Sequence, residues 1–198
     1  MMNLSVLLPM AVETLKAPRE MAERLMALNL GRDVLWQALA LVVVLSILLA
    51  EITNVILLAA GMGSPEAPVG FISPLTIGMI QLSLLVMVVF AIFWVGRAFG
   101  GTGRFQDGLV LVVWLQFIMV CLQVVQTLAI LVLAPVAWAI GILGLVVFMW
   151  LLTHFIAAAH GFTSLGRVFL TIVLAGFGFA FGLSLLLALV GVSIPGMV

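Results

Sequence analysis

The chain has 198 residues, 66% of them hydrophobic and only 7% charged, with seven positive residues against seven negative and a mean hydropathy of +1.47. A soluble domain of this length needs far more charge to cover its surface, so most of this surface is expected to face a bilayer. The balanced charge offers no basic face for nucleic acid. The single cysteine, Cys121, can build neither a disulfide framework nor a Cys-based metal site, and is read as a buried filler.

In chain order, Leu4–Val12 is a first apolar stretch with no basic residues before it. Charges rather than a small-residue cleavage site follow it, so no cleavable signal is expected. From Glu13 to Leu28 a helical wheel gathers Glu13, Lys16, Arg19, Glu20, Glu23 and Arg24 on one arc. Leu15, Met21, Ala22, Leu25, Met26 and Leu28 share the other. This predicts an amphipathic helix, restarted at Pro18, that lies on the membrane surface or across the end of a bundle.

Five runs then reach the roughly 20 apolar residues that a spanning helix needs. They cover about 34–60, 74–96, 108–133, 135–159 and 165–192. Ser73-Pro74 is a cap followed by a first-turn proline. Pro135 divides what would otherwise be a helix of twice the membrane thickness, so the third and fourth spans form a tight hairpin. Thr163-Ser164 supplies caps for the fifth. All seven positive residues (Lys16, Arg19, Arg24, Arg32, Arg97, Arg104 and Arg167) fall on one side of this arrangement. The loop 61–70, the turn at Pro135 and the tail after Val192 carry none. The positive-inside rule then puts the N-terminus in the cytoplasm and the C-terminus outside, and the membrane is expected to be an inner (cytoplasmic) one. Trp36, Trp94 and Trp138 near the expected interfaces agree with an aromatic belt. The expected fold is an all-α bundle of five transmembrane helices (33–198) preceded by a cytoplasmic amphipathic segment (1–32).

Candidate chemistry is sparse. His154 and His160 are the only histidines. Their spacing of six puts them on different sides of a helix, where a metal pair prefers three or four. His160 is expected in the loop after the fourth span. No paired intramembrane aspartates, HExxH or nucleophile elbow is present. No metal, cofactor or catalytic residue is therefore assigned. Gly178 and Gly182, in the run AGFGFAFG, and Gly141 and Gly144 on the fourth span are expected to let helix backbones approach closely within the bundle. The loop GRAFGGTGRFQD, with Arg97, Gly100, Gly101, Arg104 and Phe105, is expected to contact lipid headgroups or a partner; it is not a P-loop, since no GK[ST] follows.

Glu51 is the most anomalous residue, because a carboxylate within a span costs a few kcal/mol or more. Counting depth at ~1.5 Å per residue, Glu51, Gln81, Gln123 and Gln126 fall at similar height in the half of the membrane away from the arginines. Asn54 lies one turn from Glu51. Glu51, Gln81 and Gln123 or Gln126 are expected to point inward and meet in one hydrogen-bonded cluster, as interhelical glue or as part of an ion, proton or small-molecule path.

The loop FGGTGRF (Phe99–Phe105), the span with Trp114, Trp150 at the end of the next span, and HGFTSLGR (His160–Arg167) before a glycine-rich last span together resemble the bacterial branch of the Yip family, named for interaction with Ypt/Rab GTPases. The resemblance covers roughly Phe90 to Leu187, and the preceding amphipathic helix is also family-like. It implies five spans, a cytoplasmic N-terminus and a membrane-organising or trafficking-type role through oligomers or partner proteins, without catalysis. Eukaryotic members reach Rab GTPases through a longer N-terminal region and carry Tyr-containing motifs. This chain has no tyrosine and an arm of only about 32 residues, so Rab binding is not carried over. Two functions are expected to compete. One is a scaffold or accessory protein acting on membrane lipids, other membrane proteins or a second copy of itself. The other is a small transporter or channel using the polar cluster, which the lack of an internal repeat disfavours.

Overall fold

The computed structural model describes residues 4–61 and 73–189, and among these the regular structure is entirely helical. The rest of the loop after Gly61 and the expected end of the last span, 190–192, lie outside the described residues. The helices are α1 (Leu4–Lys16), α2 (Pro18–Ala27), α3 (Arg32–Ala59), α4 (Pro74–Ala98), α5 (Phe105–Val132), α6 (Ala134–His160) and α7 (Leu165–Leu189). The last five are long and apolar enough to cross a membrane. Local signals set their ends. Ser73 Oγ accepts the Thr76 N–H at 3.2 Å and Pro74 opens α4. Leu133 alone turns the chain between α5 and α6 in an extended conformation, with Pro135 in the first turn of α6, where its missing N–H costs nothing.

The N-terminal arm restarts at Pro18, as the sequence suggests. Ala17, at φ −136° and ψ 67°, breaks it before Pro18, and α1 extends back to Leu4. The wheel drawn through both pieces therefore misplaces the first. In α1 it is Ala11 and Thr14 that are buried, while Leu15 is exposed; in α2 Met21, Ala22 and Leu25 are buried as expected, and Leu28 is exposed. The buried face of α2 packs on α6 and α5, so the arm lies across one end of the bundle. On a helix whose other face is charged, burying Met21 and Leu25 contributes about 2 kcal/mol each.

Helix α5 is the axis. It packs against α3, α4 and α6 and touches α2, and half of its span is buried against 6% for α7. The core lies at the end that carries the positive residues, called the basic end below. Leu35 and Leu39 of α3, Ile92 of α4, Leu109 and Leu115 of α5, and Leu151 and Phe155 of α6 meet there. Toward the far end the same helices expose Leu75, Leu131, Val132 and Trp138. Apolar side chains at membrane depth lose nothing by facing lipid, so close packing must come from shape and hydrogen bonds.

Candidate functional site

At the basic end, α4 and α6 finish in the same way. After α4, Gly100 takes φ +84°, Gly101 N–H reaches back to Gly96 O at 2.9 Å, and Gly100 N–H reaches Arg97 O at 3.0 Å. After α6, Gly161 takes φ +71° and Phe162 N–H reaches Ala157 O at 2.9 Å. Both are left-handed glycine caps that satisfy the last carbonyls of a helix.

His160, the last residue of α6, is inserted between these caps. It is 3% exposed, not a loop residue as its sequence position suggests, because the Gly161 cap comes one residue later. Gly103 N–H donates to its Nδ1 at 3.2 Å. That nitrogen must accept, so Nε2 carries the proton and donates to Ile92 O at 3.0 Å. Phe162 stacks on the ring at 5.6 Å. The glycines around it are steric requirements. A Cβ at Gly96 or Gly101 would collide with the imidazole, and one at Gly103 would lie 2.7 Å from Ala159 O. The GGTG loop and the His-Gly turn, separate patterns in the sequence, form one lock that ties α4, α5 and α6 together. Both ring nitrogens are engaged, so His160 has no lone pair left for catalysis or for a metal. His154 turns to Trp150 O at 2.8 Å, and the two histidines do not form a pair.

The next residues extend the lock. Asp107 accepts the Arg104 backbone N–H at 2.9 Å and its guanidinium at 3.0 and 3.2 Å, in a capping box of α5. Asp107 raises the Arg104 pKa above its usual value, first by hydrogen bonding and then by charge. Arg104 also reaches Asn29 Oδ1 after α2 at 3.2 Å. Phe105 sits among Trp36, Phe90 and Phe93, at 6.4, 5.1 and 6.1 Å between ring centroids. Of the five loop residues singled out for lipid or partner contact, Gly101, Arg104 and Phe105 are thus engaged within the chain. Gly100 is exposed, and Arg97 lies exposed over the Phe93 ring at 5.5 Å. A further tie was not visible in the sequence. Trp114 of α5 donates from Nε1 to Thr14 Oγ1 of α1 at 2.9 Å, and Thr14 donates to Met10 O at 2.7 Å.

The polar layer farther along the spans is centred on a different residue from the one expected. Gln81 Nε2 donates to Ser46 Oγ at 2.9 Å, and Gln123 Nε2 donates to Ser46 O at 3.0 Å. The hydroxyls of Thr53 and Thr127 meet at 2.7 Å. These contacts join α3 to α4 and α5. Glu51 is half-buried, Asn54 is exposed, and among the described residues neither bonds to the glutamines. A depth count fixes height but not direction around the helix, and Ser46, more than a turn before Glu51, is the residue that faces inward. Gln126 packs instead over Gly141, where a Cβ would lie 3.1 Å from its Nε2. Gly141 therefore does serve packing, against α5. At Gly144, Gly178 and Gly182 a Cβ would meet nothing within 4 Å beyond the glycine's chain neighbours and its own helix backbone. The expectation that they close helices on one another inside the bundle is corrected, because α7 leans on α6 through other residues.

A hydrophobic five-span bundle with a packed N-terminal arm and no group of three metal-binding side chains among the described residues defines a polytopic α-helical membrane protein. The family model of the Yip1 domain matches residues 12–186, and the chain belongs to that family. No curated protein and no solved structure matches it.

Proposed function

We propose that this protein is a membrane-organising scaffold or accessory protein that works through lipid and membrane-protein contacts, without catalysis. The observation that supports the reading is the contrast between satisfied polar groups and uncovered apolar helix faces. The histidine, the tryptophan of α5 and the loop arginine Arg104 are committed to contacts inside the chain. Two helices, though packed on one side, leave an apolar face uncovered. The 13-residue α1 is tied to α5 by Thr14 yet exposes Val6, Leu8 and Val12. At about 20 Å it is too short to span and suits one leaflet. Helix α7 exposes Phe177, Phe181 and its glycine run, the small-residue surface that another transmembrane helix fits. The basic end would lie in the cytoplasm of a bacterial inner membrane, with the C-terminus in the periplasm. Arg97 and Gly100 are the loop residues open to a headgroup or partner. The competing transporter reading has less support, since the Ser46, Gln81 and Gln123 groups are bonded to one another. Affinity purification of the full chain in mild detergent tests the proposal. A stoichiometric membrane-protein partner, lost when residues 1–17 are removed or α7 is altered, is the expected result. Recovery of the chain alone, together with solute flux in liposomes, would overturn it.

A further inference from the structure

Helix α7 packs on α6 but stands off α4, and the space between them is a groove of about 500 Å³ floored by α6. That volume is in the range of sites that hold one small ligand. Its chemistry is graded along its length. Ser164, Arg167 and Thr171 line the basic end, and beyond them the walls are apolar, with Val88, Ile172 and Phe179 among them. From Ser164 to Phe179 is about 22 Å along α7, more than the ~15 Å half-thickness of a bilayer's hydrocarbon. Arg19, Arg24 and Arg104 are paired with Glu23, Glu13 and Asp107, and Arg97 lies on Phe93. Lys16, Arg32 and Arg167 have no ion pair among the described residues, and of these three only Arg167 lines the groove. No Asp or Glu lines it.

We propose that this groove holds one acyl chain of an anionic glycerophospholipid, with the lipid phosphate bound by Arg167. A guanidinium is a strong partner for a phosphate. No lining carboxylate is there to pair with a headgroup cation, so a headgroup of net negative charge fits better than a zwitterionic one. The apolar length below Arg167 matches a chain that lies along the groove rather than a soluble anion at the surface. The inference rests on the reading of this protein as one that acts through lipid contacts, and gives that contact a place and a ligand class.

The test uses the full chain reconstituted in liposomes that contain phosphatidylglycerol with a photoactivatable acyl chain, followed by mass spectrometry of labelled peptides. Labelling is expected to concentrate on α4, α6 and α7 around Val88 and Ile172, and to be weaker with the phosphatidylcholine analogue. Arg167→Gln should lower it about fivefold, the factor for one interfacial cation, while Arg167→Lys keeps most of it and Arg19→Gln changes nothing. Ala175 also lines the groove, and Ala175→Phe, which fills it with Arg167 intact, should lower labelling as well. Labelling spread evenly over the lipid-facing surface, or unaffected by both Arg167→Gln and Ala175→Phe, would overturn the proposal. So would a protein–protein crosslink that places a second copy's helix in the groove. Partner capture in detergent is a separate readout, so a groove without lipid leaves the scaffold reading standing, and a chain without partners leaves the labelling result standing.

Discussion

The basic end of the bundle and the helix that leaves it, α7, are made of similar residues and are packed in opposite ways. Both are rich in glycine and phenylalanine. At the basic end, Gly96, Gly101 and Gly103 stand where a methyl group would strike His160 or the Ala159 carbonyl. On α7, Gly176, Gly178 and Gly182 face open space. A glycine in a membrane helix is therefore not in itself a packing residue. What decides is whether a neighbouring element brings something rigid against it, and a histidine fixed by two hydrogen bonds is rigid.

The comparison breaks most easily at its glycines. Gly103→Ala places a Cβ against backbone that cannot yield, and it should lower stability in detergent by about 1–3 kcal/mol, the usual cost of overpacking. Gly178→Ala should lose nothing and gain up to about 1 kcal/mol from helix propensity. Thermal unfolding of the two variants side by side checks this, and equal losses would show that α7 is packed after all. His160→Phe comes next. It keeps a ring of similar shape but strands the Gly103 N–H, at about 1–3 kcal/mol, while the Ile92 carbonyl loses only the second of its two bonds, since it lies within α4. Destabilisation no greater than that of His154→Phe, whose half-buried ring bonds only within its own helix, would mean that the lock is only a shape fit.

A smaller effect is expected where the arm meets the bundle. Thr14→Val removes the acceptor of the Trp114 N–H and should cost about 1 kcal/mol. Its clearer readout is local: trypsin should cut at Lys16 or Arg19 faster than in the unaltered chain, with the five spans intact. Combining it with Trp114→Phe should add little, since the two residues share one bond. Additive losses would show that Thr14 and Trp114 stabilise the arm separately.

The ease with which each feature could be read follows from how far apart its parts lie in the chain. The five spans were legible because each is a continuous apolar run, and the seven positive residues mark one end without any knowledge of contacts. The caps at Ser73 and Pro74 were legible because they are local. The FGGTGRF loop and the HGF turn were visible as patterns, but the contact between Gly103 and His160 crosses 57 residues and no local rule connects them. Thr14 and Trp114 are 100 residues apart, and a lone threonine on an apolar helix gives no sign of its partner. The break at Ala17 was foreshadowed by Pro18. Its consequence, a shift of the buried face of α1 from Leu15 to Thr14, needed the actual turn geometry.

The smallest expected effect concerns the polar layer and separates height from direction. Judged by charge alone, Glu51 should be the hub, and Glu51→Leu should unpair the glutamines. In the structure Ser46 is the hub, its hydroxyl held between Gln81 and Val43 O and its carbonyl used by Gln123. Ser46→Ala leaves the backbone carbonyl to Gln123 but removes the partner of Gln81, and should cost about 0.6–1 kcal/mol, as single interhelical hydrogen bonds in membranes do. Glu51→Gln and Glu51→Leu should both stay within about 0.5 kcal/mol of the unaltered chain, since no described partner is lost. Melting curves of the three variants in one detergent decide the matter. A loss with Glu51→Leu, and none with Ser46→Ala, would restore a carboxylate-centred cluster and with it the case for an ion or proton path. The opposite order leaves the layer as a set of interhelical ties, placed where the core thins toward the far end and apolar packing alone no longer holds α3 to α4 and α5.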